Sequence, residues 1–554
     1  MDNPFPPIVL EKIETKGQDR NPAVQLFGRR FFSDQTVPEL LLEFLLVSIS
    51  QKRIGDQLLD DDKMLPPLEL LHNWPDRAHL EYAAKARLNL KLFTFLGASK
   101  LETRHESHRQ QYHRLLRLIT DADRLAVAGT TDPADVLRTL ENLFLGFLGI
   151  GEERTWCAQS FLPVTPQFVA GESIWRETRA RKEDFEDWNR ALKFFSHSQQ
   201  IFLSRGGELI YLQLCNALRQ EQGDILKWIS SIDLSLSERE KNIELLYHAL
   251  VKGLNSIFDE RVETVGKLAE FIDTGIDPKT SEQTDQENGN PRYSKCGWCP
   301  TESWQEGLLF AVELLRICDA HIDPIERIEL LEISCAMQLL RSLCAQSVRN
   351  IPGDQKEVNW PGFFWVISDP EGQHEVLKQI SRRSVSTMQR IIYEAIRHPD
   401  ILQVLEQREQ YEIAKGGKFD RDAIYREADG RYGYKLFLTM AKRIGLVVPK
   451  RGPGARFVLN DRIIRFLVIS LIRPGGRMSY EKFKEFLFKH YGLAVDDDKI
   501  SQACEWCGTG RLTTLGGIAD EWLIEMLDAS GVLVKLSDSC SLVMNPFDGE
   551  ESIA

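Results

Sequence analysis

The sequence predicts a mainly α protein: multi-helical N-terminal and middle regions, followed by C-terminal tandem winged-helix-like units. Three observations carry this. From about residue 30 to 410, apolar residues recur at helical spacing, with little strand-type alternation. The stretch from Leu436 to Asn460, LFLTMAKRIGLVVPKRGPGARFVLN, reads as a helix, a strand, a Gly-Pro-Gly turn and a second strand. A helix at 518–527 followed by two β-type runs at 531–544 repeats that order. At 554 residues several domains are expected. Patterning places a helical N-terminal domain at 1–273, a polar linker or mobile loop at 274–293, a helical middle domain at 294–410 and the tandem winged-helix-like region at 411–554.

Taken in order, residues 1–30 are Pro-rich and weakly patterned, as in an extended arm. Ser33, Asp34, Gln35 and Thr36 then supply N-cap candidates for a broad apolar helix through Val47, with Pro38 in its first turn and Glu39 facing its dipole. Arg29 and Arg30 read as a solvated pair. Residues 80–122 read as two helices split near Gly97. The second carries RHESHRQQYHR, whose His105, His108 and His113 lack the HExxH spacing of a zinc helix. A helix at 136–148 precedes Cys157, which no neighbour activates and which reads as core. Arg205-Gly206-Gly207-Glu208 reads as a tight turn, because the Lys and Ser/Thr of a P-loop are missing. Ser237-Glu238-Arg239-Glu240 is a capping box for a helix to about Phe258. Thr274 to Arg292 is almost without apolar residues. Helical patterns resume at 305–320, 324–349 and about 371–408, with a short strand near 363–368.

The C-terminal region holds the charge signal. Leu436, Met440 and Ile444 share one helical face, and Gly445 suits a C-cap. Lys442, Arg443, Lys450, Arg451 and Arg456 gather on this helix and hairpin, with Arg462 just beyond, as candidate phosphate contacts of a recognition helix and its wing. Between Lys415 and His490 there are 18 Lys+Arg and 7 Asp+Glu, a net +11, which leaves −24 on the rest of a chain whose total is −13. Such asymmetry points to an anion-binding segment on an acidic body, and DNA is the expected partner.

Cys296-Gly297-Trp298-Cys299 and Cys504-Glu505-Trp506-Cys507 form two CxxC pairs, each with Trp before its second Cys. Four thiolates hold zinc tetrahedrally, and one shared structural zinc is the expectation. The pairs lie over two hundred residues apart, so a joint site is a tertiary expectation. A redox CxxC and unmetallated cysteines are the alternatives. The other cysteines sit in apolar contexts and read as core.

No Walker A loop, GxGxxG unit, HExxH or GxSxG is present, so no catalytic residue is assigned. The N-terminus lacks the pattern of a secretory signal, and no early run is apolar and long enough to span a bilayer. A cytoplasmic protein without a membrane partner is expected.

GRRFFSDQTVPELLLEFLLV, SRGGELIYLQL, the two distant CxxC pairs and the basic tandem C-terminal region together resemble large accessory proteins of bacterial anti-phage defence operons. Those stand beside ATPase, helicase or methyltransferase subunits. The resemblance implies a non-catalytic DNA-binding and scaffolding subunit with such partners, and carries over no catalytic residue. A cryptic metal-dependent nuclease of such a system and a winged-helix transcriptional regulator are the alternatives.

Overall fold

The computed structural model describes residues 4–6, 21–28, 35–60, 63–75, 78–83, 173–175, 195–197, 205–258, 293–351, 360–416, 418–510, 520–537 and 540–549. The expected helices over 84–122 and 136–148, the three histidines of RHESHRQQYHR, Arg29, Arg30, Cys157 and the linker up to Arg292 lie outside these residues.

The described part is mainly helical. Asn21 caps α1 (Pro22–Phe27), a fully buried single turn and a half. Helix α2 (Val37–Ile49) opens with a capping box in which Thr36 and Glu39 satisfy each other's backbone N–H. Eleven of its residues are buried, so it is packed all round. Next come β1 (Gln51–Ile54), β2 (Gln57–Leu58), α3 (Leu68–His72) and β3 (Leu80–Ala83). The helix expected from residue 80 is a strand there. Its four residues pair antiparallel with β1, and Glu81 and Tyr82 pair, across more than two hundred residues, with β6 (Ser294–Lys295). That pairing is non-local and left only a weak mark in the sequence. The sheet order is β2-β1-β3-β6. Strands β4 (Ser173–Trp175) and β5 (Phe195–His197) pair with each other.

Helix α4 (Gly206–Leu218) is buried at every position and forms the axis of the N-terminal half. Helices α5 (Gln222–Ser231), α6 (Glu238–Lys241) and α7 (Ile243–Ser256) follow. The Ser237 capping box is present, but Asn242 ends α6 and caps α7, so the single expected helix is two. Helices α8 (Trp304–Asp319) and α9 (Pro324–Arg349) complete this part, α9 within its expected limits.

The start of α4 explains the glycine pair. A Cβ on Gly207 would lie 2.4 Å from the Phe44 amide nitrogen and 2.5 Å from the Leu40 carbonyl oxygen of α2. Glycine is what lets these helices touch backbone to backbone. The exposed N–H groups that could have met a phosphate are already occupied. Gly206 N–H donates to Gln35 Oε1 at 3.1 Å, and Gly207 N–H to Glu43 Oε2 at 2.7 Å. Arg205, in the left-handed region, pairs with the buried Glu208.

Glu43 is buried in this knot, and burial, with the Glu208 carboxylate beside it, pushes its carboxyl up to about 8. A folded state that holds this proton up to about 8, against 4.5 for the free side chain, is favoured at low pH. That contribution fades as pH rises between those two values. Melting temperature should therefore fall from pH 5 to pH 9 more in the wild type than in Glu43→Gln, which carries no titrating group. Parallel curves for the two proteins would refute the assignment.

The C-terminal half begins with β7 (Trp365–Val366), α10 (Glu375–Ile396), α11 (Pro399–Ala414) and α12 (Arg421–Glu427). A π-turn at Ala428–Tyr432 leads into α13 (Tyr434–Ile444), then β8 (Val447–Val448) and β9 (Arg456–Phe457). The rest is α14 (Asp461–Leu471), β10 (Arg477–Ser479), α15 (Tyr480–Tyr491), β11 (Leu493–Ala494), α16 (Asp497–Trp506), α17 (Glu521–Ala529), β12 (Leu533–Ser537) and β13 (Cys540–Met544). Strands β10, β13 and β12 form an antiparallel sheet in that order. Strand β11 pairs in parallel with β7, and Ile367 just after β7 bridges to Phe457.

One contiguous cluster of buried apolar side chains runs from Phe5 to Val543. Buried polar groups cross it. Arg316 of α8 pairs with Glu240 at 2.6 Å and donates to the Ser470 and Leu471 carbonyls at the end of α14. No helix among the described residues is long and apolar enough to cross a membrane.

Candidate nucleic-acid interface

The apolar spacing of α13 buries Leu436, Phe437, Met440 and Ala441. Gly445 ends the helix in the left-handed conformation with φ 81°. Asn460 then joins two elements: its amide donates to the Ile444 carbonyl at 3.0 Å, and its side-chain oxygen caps α14 through the Ile463 N–H. The hairpin pairs Val447 with Phe457 and Val448 with Arg456. Phe457 stacks on Trp365 with centroids 5.7 Å apart. The base of the hairpin is thus anchored in the core, while residues 449–454, PKRGPG, are exposed.

The six basic residues singled out from the sequence do not share one role. Lys450 and Arg451 stand exposed on the tip, and no ion pair holds either among the described residues. Lys442 is half-buried on α13. Arg443 is exposed but donates to the backbone carbonyl of Gln35, tying α13 to the segment before α2. Arg462 is exposed and faces Glu329 at 3.3 Å, a surface pair of small energetic weight. Arg456 is 8% exposed. Its guanidinium donates to Ser368 Oγ at 2.6 Å, the Asp369 carbonyl at 2.8 Å and the Pro370 carbonyl at 2.9 Å. The expected phosphate contact is instead a clamp on the turn after β7, a fork of donors meeting a row of acceptors. Burial lowers its pKa, with Arg382 adding to that and Asp369 opposing.

The expected recognition helix is also differently placed. Of α13, only Lys435 and Arg443 are exposed, because the helix packs against α9, the π-turn and α10. Its flanks are not open to a groove. Exposed cations with no ion pair among the described residues include Lys450 and Arg451 at the tip, Arg383 on α10 beside it, and Lys418, Lys435, Arg473, Arg477 and Lys482 elsewhere in the basic segment. A Cβ on Gly454 would lie 3.4 Å from an Arg382 nitrogen, so the tip rests against that side chain. Other cations of the basic segment have acids beside them: Arg421 pairs with Glu409, Arg431 with Glu427, Arg465 with Glu326, and Lys484 with Asp520. The α10 arginines lie outside the segment that charge counting selects. The signal that could have found them is Arg383 and Arg390, seven residues apart on one helical face.

The two CxxC pairs keep separate surroundings. The Cys296 N–H donates to the Leu80 carbonyl and the Cys299 N–H to the Pro4 carbonyl. Cys507 bonds through its thiol to Thr387 of α10, and Cys504 to Thr509. Burial pushes both of these thiols up. The second pair ends a helix and is not a free-standing turn. Among the described residues, no three His, Cys, Asp or Glu side chains gather as a metal ion would need.

No protein family, curated protein or solved structure matches the chain.

Proposed function

We propose that this chain is a non-catalytic DNA-binding and scaffolding subunit of a multi-protein bacterial anti-phage defence system. The observation that carries DNA binding is the exposure of Lys450 and Arg451, with no ion pair among the described residues, on a hairpin whose base is locked into the core. A rigid base keeps the cost of ordering low when the tip meets phosphate. We read the helix-then-hairpin order of α13, β8 and β9, and of α17, β12 and β13, as winged-helix-like, the latter supported by the third strand β10 beside β13. The second unit differs in charge. Its α17 exposes Glu521, Glu525 and Asp528, which suits a protein partner better than phosphate. The defence assignment itself rests on the resemblance of the sequence, with an ATPase, helicase or methyltransferase as the expected partner.

Lys450→Ala/Arg451→Ala should weaken binding to duplex DNA about tenfold or more at low salt. It should also flatten the dependence of log affinity on log salt by about 1.8, because two fewer phosphates are neutralised. Unchanged affinity and slope would remove the tip as a contact. Incubation of the pure protein with plasmid and Mg²⁺ or Mn²⁺ should give no cleavage; cleavage would favour the nuclease reading. Preference for a single tight operator would favour the regulator. Failure to co-purify with the proteins encoded beside it would remove the scaffolding role. A zinc shared by the four CxxC cysteines is a separate proposal to which their seating lends no support. Elemental analysis decides it, and zinc-free protein purified without chelators rejects it.

A further inference from the structure

We propose that the exposed face of α10 lies along the phosphate backbone of duplex DNA beside the hairpin tip, with Arg383 and Arg390 as its contacts. This rests on the nucleic-acid reading above and makes α10, not α13, the helix that faces DNA.

Helix α10 is two-faced. Leu377, Ile380, Val385, Met388, Ile391 and Ile392 are buried against the core. On the opposite side Gln379, Arg383, Ser386 and Arg390 are exposed, at spacings of four, three and four. They form one polar row about 16 Å long, at 1.5 Å of rise per residue. The row is rich in donors. Gln379 presents an amide, Ser386 a hydroxyl that donates to the Arg382 carbonyl at 3.1 Å, and the two arginines guanidinium groups. The acids on this helix that touch the row stand towards its two ends. Glu375 accepts from Gln379 and also pairs with Lys378 and, at 4.0 Å, with Arg382, and Glu394 pairs with Arg390 at 3.0 Å, an exposed pair weak enough for a phosphate to replace. Arg383, in the middle, has no ion pair among the described residues. Across from it, α16 presents the Cys504 and Cys507 thiols.

The row adjoins the hairpin, because Arg382 lies against Gly454 of the tip. The tip that carries Lys450 and Arg451 therefore meets α10 at Arg382, next in sequence to Arg383. The row's geometry favours a duplex. Arg383 and Arg390 are about 10 Å apart along the helix axis, so the pair can reach two phosphates of one strand. The row carries no aromatic side chain, so it offers no stacking platform for single strands. Its one exposed apolar neighbour on α10 is Val376 at the first turn, too little for an amphipathic face that would enter a lipid surface.

The test compares Arg383→Ala/Arg390→Ala with Lys450→Ala/Arg451→Ala in the full chain, by anisotropy of a labelled DNA duplex over a range of salt. Each pair should weaken binding tenfold or more and lower the salt slope by about 1.8. Arg383→Lys/Arg390→Lys should restore most of the affinity, since the charge and not the packing is at issue. All four side chains are exposed, so melting temperature should not change. If the tip variant weakens binding while the α10 variant matches the wild type, this inference falls and the nucleic-acid reading stands. If both match the wild type, or no duplex binding is found at all, the nucleic-acid reading falls with it. Tighter binding to a single strand of the same length, or loss of affinity in the lysine variant equal to that of the alanine variant, would also overturn the α10 contact.

Discussion

Arg341→Ala is expected to cost about 3–5 kcal/mol of stability, because it strands a buried carboxylate. Arg341 is fully buried in α9. It meets Glu313 of α8 with two parallel hydrogen bonds, at 2.7 and 3.0 Å. It also donates to Gln338 Oε1, to the His490 carbonyl at 3.1 Å and to the Glu306 carbonyl at 3.3 Å. Its plane lies over the Tyr491 ring. One side chain thus links α8, α9 and α15. Without it, Glu313 keeps His490, at 2.6 Å, as its hydrogen-bonded partner in the core. Lysine should rescue little, since a single ammonium cannot reproduce the fork. Chemical denaturation followed by far-UV circular dichroism checks this, and an Arg341→Ala midpoint equal to that of the wild type would show that the network contributes nothing.

Gly307→Val should be comparably severe, for a steric reason. A Cβ at Gly307 would sit 2.2 Å from the Gln213 carbonyl oxygen and 3.0 Å from its carbon. The obstacle is backbone in the middle of α4, which cannot rotate away as a side chain would. Helix α4 cannot retreat either, because Gly207 already brings it against the backbone of α2. The change should cost about 3 kcal/mol or more, at the upper end of overpacking penalties. Gly223→Ala is the control: nothing lies within 4 Å of its Cβ position in α5, so it should be as stable as the wild type or more stable by up to about 1 kcal/mol. Equal stability of the Gly307 variant would mean that α4 and α8 are not in such close contact.

Local signals in the sequence are legible where the local chain decides. Asp323 and Pro324 mark the start of α9, Thr36 and Glu39 the start of α2, and Gly445 the end of α13, because caps act within four residues of the helix end. The Gly-Pro-Gly tip of the β8–β9 hairpin is legible for the same reason. Strand β3 is not, since its partners in β1 and β6 are brought to it only by the folded chain. Charge along the chain shows where positive residues concentrate and is silent about which are available. Arg456 and Arg443 look like Lys450 and Arg451 in a linear sequence. Their difference comes from Ser368, Asp369, Pro370 and Gln35, all remote in the chain.

By itself the sequence determined that the chain is mainly helical, where several helices begin and end, and that a basic hairpin interrupts an acidic body. Periodicity and capping are properties of neighbouring residues. Tertiary structure alone decided which of those cations face water, which helix stands beside the hairpin, and that the two CxxC pairs have different neighbours. Those outcomes depend on what burial brings together from far apart, and a guanidinium that meets carbonyls in the core is no longer available to a phosphate outside it.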